Sequence, residues 1–312
     1  MLQTGDFLPS CKETAFTEAV TVACGGVDGV IQDPDSCHWN PSDLVGTVTP
    51  CGTITSTDAA VVEKIWDGPR STSGQKLWYG LEPGASFAGL AGTSTSSAGI
   101  TTGIPFPIAV AWLGTWVQQN PNWDWHTLTY AQFDQLFQRS QDEFSSTIAT
   151  DNPDLSQFRG HGGKIIIWHG LADQLIFPQG TINYYRRVQA AMGGSARTDS
   201  FARLFLAPGA QHCASAAGLA PGTPYAYPAT AMPLQDVVNW VEHRQAPSSI
   251  LAVKIDPQTN VVTESRILCP YPETAIYDGH GNPNLSTSYR CSGRSRWWGQ
   301  DGNSYMRHRA RR

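Results

Sequence analysis

The stretch from residue 156 to about 247 constrains this chain most. "GGKIIIWHG" is a short run of β-branched residues closed by glycine, and "PQGTINYYRRVQAAMG" follows with its apolar residues at helical spacing. "FARLFLAPG" reads as a second strand, and "PLQDVVNWVEHRQAP" as a helix opened by proline and ended before one. Strand, helix, strand, helix is the order of a parallel sheet covered by helices, which puts this half of the chain in the α/β class.

In such sheets, reactive side chains gather on loops just beyond the carboxyl ends of the strands. "WHGLADQLI" places Asp173 a few residues past the first strand, and "APGAQHC" places His212 at the same point of the second. A carboxylate followed about 40 residues later by a histidine is the chain order that closes a Ser-His-Asp triad in α/β-hydrolases. In that arrangement Asp173 fixes the imidazole tautomer and His212 is the general base toward a serine. An aspartate after a strand is equally a turn former or a helix cap.

The serine belongs upstream, in G-x-S-x-G on a strand-turn-helix. "GASFAG", "GTSTSSAG" and "GGSAR" come nearest, but none follows a strand-like apolar run or has both glycines in place. The Cys-Ser pair Cys291 and Ser292, in "YRCSGRSRW", comes after the histidine and precedes no helical pattern. No residue of the chain therefore reads as the nucleophile.

From residue 1 to about 155 the character differs. "GVDGVIQDPDSCHWNPSD", "DGPRSTSG" and "AGTSTSSAGITTG" are turn-rich and separate short apolar pieces, with helical spacing over Asp58 to Trp66 and Tyr130 to Ile148. Strands and helices do not alternate here. A composition of 40% apolar and 15% charged residues is that of a folded globular chain. A net charge of -5 without acidic runs argues against nucleic acid as the main partner, and no apolar stretch reaches membrane-span length.

Cysteines stand at 11, 24, 37, 51, 213, 269 and 291, none of them in the C-x-x-C pairs of zinc or redox sites. Disulfides are the better reading, and these persist outside the cell, although "MLQTGDFLPSCKETAF" has no export-signal pattern. Seven is odd, which leaves one cysteine without a partner in the chain.

Taken in order, "FLPSCK", "CGGVDGVIQDPDSC", "IWDGPRSTSGQKLWYGL", "WHGLADQLI", "PGAQHC" and "LCPYPETAIYDGHGNPNLSTSYRC" resemble the tannase and feruloyl esterase family of secreted serine esterases. The resemblance runs from near residue 5 to Cys291. It implies an α/β-hydrolase core with a large inserted lid: residues 1–155 as a loop-rich lid, 156–291 as the C-terminal part of the core, and 292–312 as a disordered basic tail. It also implies that a Cys-Ser pair, an Asp and a His-Cys pair meet, with a disulfide joining the cysteine before the serine to the cysteine after the histidine. Cys213 is then half of that bridge. Its partner, the serine and the export signal are expected in an N-terminal region that this chain lacks, so the chain is expected to be a truncated product with little or no esterase activity alone. The resemblance further implies Cys24 with Cys37 and Cys269 with Cys291, leaving Cys11 with Cys51. Each closed loop typically contributes about 2 to 4 kcal/mol.

The family's calcium loop resembles D-x-x-D-G-V-x-D-G-x, and calcium takes about six to eight oxygen ligands. Here "CGGVDGVIQDP" is shorter: Gly25 replaces the first aspartate, Asp28 and Val30 match the middle, and Asp33 is a partial substitute. Weak calcium binding or none is expected, and the chemistry itself requires no cofactor. Trp66, Trp78 and Tyr79 could line an aromatic pocket, but "IWDG" and "LWYG" suit packing in a loop-rich domain better.

The resulting expectation is a secreted carboxylic ester hydrolase acting on aromatic esters of the plant cell-wall or tannin type, with neither nucleic acid nor membrane as partner. A noncatalytic remnant that binds aromatic esters or glycans is the second reading. A third is that half an open parallel sheet, with its edge unpaired, aggregates.

Overall fold

The computed structural model describes residues 6–26, 29–212, 219–221, 232–256, 258–259 and 261–294. The chain divides into two units, one of Met1–Gly26 with Cys37–Asp151 and the other of Val27–Ser36 with Asn152–Arg312.

The first unit opens with helix α1 (Ser10–Ala23), in which Phe16 and Val20 are fully buried. The residue spacing did not reveal this helix. It is rich in threonine, and Thr14, Thr17 and Thr21 each turn their hydroxyl back onto the carbonyl four residues earlier, so side chains that disfavour helices are satisfied within one. Hairpins β1 (Val48–Thr49) with β2 (Gly52–Thr53), and β3 (Thr93–Thr95) with β4 (Thr101–Gly103), flank helix α2 (Ser56–Asp67) in the chain. α2 starts at a capping box in which the Thr55 hydroxyl accepts from the Asp58 N–H while the Asp58 carboxylate accepts from the Thr55 N–H. Asp58 also binds Lys12 of α1 at 2.7 Å, with both side chains largely buried. Helix α3 (Pro107–Ala111) runs into a wider turn at Trp112–Val117, and helix α4 (Tyr130–Ile148), again opened by a capping box, brings Phe144 edge-on to Trp112 at 4.9 Å. Disulfide Cys11–Cys51 closes a loop of this unit, and Cys24–Cys37 joins two of its residues across the segment Val27–Ser36.

The glycines of "IWDG" and "LWYG" have a structural reason. A Cβ on Gly80 would fall 2.1 Å from the Trp66 carbonyl oxygen, and Gly68 has φ +89 beside the Gly80 N–H. Trp66 packs against Trp39 at 6.1 Å, as the packing reading expects, whereas Trp78 is 43% exposed, which that reading did not anticipate.

In the second unit, helix α5 (Ser156–Gly160) leads to strand β5 (Ile165–Gly170), helix α6 (Pro178–Ala191), the short helix α7 (Ser195–Thr198), strand β6 (Ala202–Ala207) and helix α8 (Pro233–Glu242). β5 and β6 are parallel and in register, from Ile165 opposite Ala202 to Gly170 opposite Ala207. Successive β6 residues bury on opposite faces: Leu204 against Ile182, Tyr185 and Val188 of α6, and Phe205 and Ala207 against Ile250, Ala252 and Leu268. The latter belong to an antiparallel pair, β7 (Ile250–Ile255) with β8 (Val262–Leu268). A second antiparallel pair, β9 (Glu273–Tyr277) with β10 (Tyr289–Arg294), is closed by Cys269–Cys291. Strand β10 continues to Arg294, three residues past Cys291, where the disordered tail was expected to start; pairing with β9 extends the order. The segment Val27–Ser36 belongs to this unit rather than to the first 155 residues, and its Val30 and Asp33 line a cavity with Leu171, Leu206 and Leu268.

Candidate active site

The loops after β5 and β6 are zipped together by backbone hydrogen bonds. Leu171 N–H donates to the Ala207 carbonyl and Ala172 N–H to the Ala210 carbonyl, both at 2.9 Å. Ala210 is fully buried, and Gly170 sits so close to it that no side chain fits between them. This contact brings together two residues 39 positions apart: Asp173 Oδ2 lies 3.1 Å from His212 Nδ1.

Asp173 is 5% exposed. Burial pushes its carboxyl up, but hydrogen bonds from His169, from the N–H groups of Ile176 and Leu175, and from His212 outweigh it and hold the group at about 2. Its Oδ1 accepts the two backbone N–H bonds, each 2.9 Å. An ionised carboxylate only accepts, so His212 Nδ1 carries a proton toward it, and the neutral tautomer compatible with this contact has its lone pair on Nε2. The His212 side chain is 38% exposed, and its backbone N–H is anchored by the Gln174 side-chain oxygen at 3.2 Å. The result is an imidazole of fixed tautomer with its Nδ1 turned to Asp173 and a partly exposed ring.

His169, on β5, completes the cluster and was missed from sequence, where a histidine inside a strand passes for core. Its one sequence signal is its place four residues before Asp173 on the same strand-end segment. Its Nε2 lies 2.8 Å from the Ile176 carbonyl and 3.2 Å from Asp173 Oδ2, and its Nδ1 lies 2.8 Å from the Thr181 hydroxyl.

Among the described residues no serine hydroxyl is hydrogen-bonded to His212. Cys213 lies outside the described residues, so the structure does not locate the bridge expected beside the histidine. The six other cysteines form Cys11–Cys51, Cys24–Cys37 and Cys269–Cys291. Of the residues considered for calcium, Asp28 lies outside the described residues and Val30 is buried. Burial raises the Asp33 carboxyl, and it also raises that of Asp35, whose position beside Asp33 adds to the effect. Among the described residues no three His, Cys, Asp or Glu side chains converge as a metal cage. A cavity of about 400 Å³ in this unit is lined by Val30, Asp33, Leu171, Leu206, Leu268 and Tyr271, and neither Asp173 nor His212 faces it.

A family model described as tannase and feruloyl esterase matches residues 3–292. A probable feruloyl esterase of Arthroderma benhamiae is 40% identical over 301 residues, covering 94% of this chain and 54% of that protein. A probable feruloyl esterase B-1 of Aspergillus terreus is 31% identical, covering 91% of this chain and 55% of its own length. The chain thus spans about half the length of the curated relatives it matches. Among solved structures, feruloyl esterase B from Aspergillus oryzae superposes with a TM-score of 0.75 at 24% identity, over 92% of this chain and 57% of that one. The tannin acyl hydrolase from Aspergillus niger gives 0.77 at 24% identity, over 93% of this chain and 55% of its own. These likenesses share the fold.

Proposed function

Because the chain belongs to the tannase and feruloyl esterase family, we propose that its second unit carries the acid–base half of a secreted serine carboxylic ester hydrolase acting on aromatic esters. The observation that carries this reading is the 3.1 Å contact from His212 Nδ1 to a buried, ionised Asp173, which leaves Nε2 as the base. In this mechanism His212 Nε2 takes the proton of a serine hydroxyl as the serine oxygen attacks the ester carbonyl. It then returns the proton to the departing alcohol, and water releases the acyl group by the same route. Asp173 stays ionised throughout and stabilises the imidazolium. The feruloyl and galloyl esters of plant cell walls and tannins are the substrate class. The first unit is the lid that the family resemblance implies, and the nucleophilic serine is supplied by residues other than these 312. On its own the chain is then expected to show little or no hydrolysis.

The test is a chimera in which this chain replaces the matching stretch of the 40% identical Arthroderma benhamiae relative. Hydrolysis of a chromogenic ferulate or gallate ester is expected from the chimera, with loss of about 10³-fold or more in His212→Ala. A folded chimera that hydrolyses neither ester, or one indifferent to His212→Ala, contradicts the reading.

A further inference from the structure

The carbonyl of Ile176 can only accept a hydrogen bond, so the nitrogen 2.8 Å from it, His169 Nε2, must carry a proton. The same N–H reaches Asp173 Oδ2 at 3.2 Å. Nδ1 faces the Thr181 hydroxyl of α6 at 2.8 Å, and a hydroxyl can donate to it. Every polar atom of the ring is thereby satisfied with the imidazole neutral and in a single tautomer, and the side chain is only 11% exposed.

Both oxygens of Asp173 face donors. Its two oxygens offer about four lone pairs. Leu175 and Ile176 N–H occupy Oδ1, while Oδ2 accepts from His212 and has His169 Nε2 in contact at 3.2 Å. A proton on Oδ2 would meet the N–H of His212 and the Nε2–H of His169, so it can join there only by turning a donor away.

We propose that His169 is a positioning residue for the acid–base pair: a neutral imidazole, fixed as the Nε2–H tautomer by the Ile176 carbonyl and Thr181, that clamps Asp173 ionised and aimed at His212. It does not touch substrate and acts through Asp173. The acid–base role of Asp173 rests on the proposed function, but the clamp is a property of the carboxylate and is measured without any hydrolysis. The titratable side chains in contact with Asp173 among the described residues are His169 from β5 and His212 from the loop after β6, and α6 contributes only the uncharged Thr181 to the cluster.

The experiment is nuclear magnetic resonance on the whole 312-residue chain, with ¹³C on the Asp side chains and ¹⁵N in the His rings. In the wild type, His169 is expected as the Nε2–H tautomer near neutral pH, and the Asp173 carboxyl is expected to stay ionised as the pH is lowered toward 3 or so. In His169→Phe the Asp173 midpoint should rise by about one unit or more, and His169→Gln, which keeps an N–H donor, should restore most of the difference. An Asp173 titration unmoved by His169→Phe, or a wild-type His169 found as the Nδ1–H tautomer or charged near neutral pH, overturns the proposal. Should His169→Phe not fold, the wild-type tautomer decides by itself. An inactive chimera with this clamp intact would overturn the esterase reading alone.

Discussion

A Cβ on Gly170 would lie 2.2 Å from the carbonyl oxygen of Ala210, the same oxygen that accepts the Ala172 N–H. The end of β5 and the turn after β6 therefore touch backbone to backbone, and the separation of Asp173 from His212 depends on that contact. Gly170→Ala is expected to push the two loops apart, at a cost of about 1 to 3 kcal/mol in unfolding free energy. Denaturant unfolding measures the cost. The His212 ring resonances should shift with it, whereas Gly160→Ala, at a position with open space around it, should leave them in place.

Glu13 gives the first unit a pH dependence of its own. It is 8% exposed, one carboxyl oxygen has no hydrogen-bond partner among the described residues, and burial raises the group from 4.5 to about 7. A carboxyl raised on folding contributes stability that is full below about pH 4.5 and is lost as the pH rises to about 7. Glu13→Gln should remove that slope. The variant is expected to gain on the wild type between pH 5 and pH 8 by on the order of 1–3 kcal/mol, read as a difference in urea midpoints.

Asp173 works in the opposite sense. Its carboxyl is lowered on folding from 3.8 to about 2, so its contribution is present above 3.8 and is lost as the pH falls toward 2. Acid unfolding followed by tryptophan fluorescence should therefore be less steep across that window in Asp173→Asn than in the wild type.

The bridge Cys24–Cys37 spans 13 positions at the neck of the segment Val27–Ser36. Replacing both cysteines by alanine should cost about 3 kcal/mol, measured by denaturant unfolding with the remaining bridges verified by mass spectrometry.

The second unit was the more legible in sequence. Ala202–Ala207 is largely buried and Ile165–Gly170 half-buried, both with apolar residues packed on either face, so they read as continuous apolar runs, and α6 and α8 announce themselves with Pro178 and Pro233 in their first turns. The nearness of Asp173 and His212 follows from their matched positions past in-register parallel strands. Less was legible elsewhere. α1 hides its buried Phe16 and Val20 among threonines satisfied by their own helix. The pairs β7–β8 and β9–β10 carry Lys254, Glu264, Arg266 and Arg290 within their strands, which blurs the apolar alternation. His169 was hidden because its partners, Ile176 and Thr181, meet it only when the loop after β5 folds back.

The account turns on one proton, the one His212 Nδ1 gives to Asp173, and Asp173→Asn in the ester-hydrolysing chimera tests it most directly. Asparagine keeps the shape but can present an N–H to the ring and select the wrong tautomer. The account predicts that kcat for a chromogenic ferulate or gallate ester falls by about 10⁴-fold with the fold intact. A variant that keeps kcat within a few-fold of the parent chimera would contradict it.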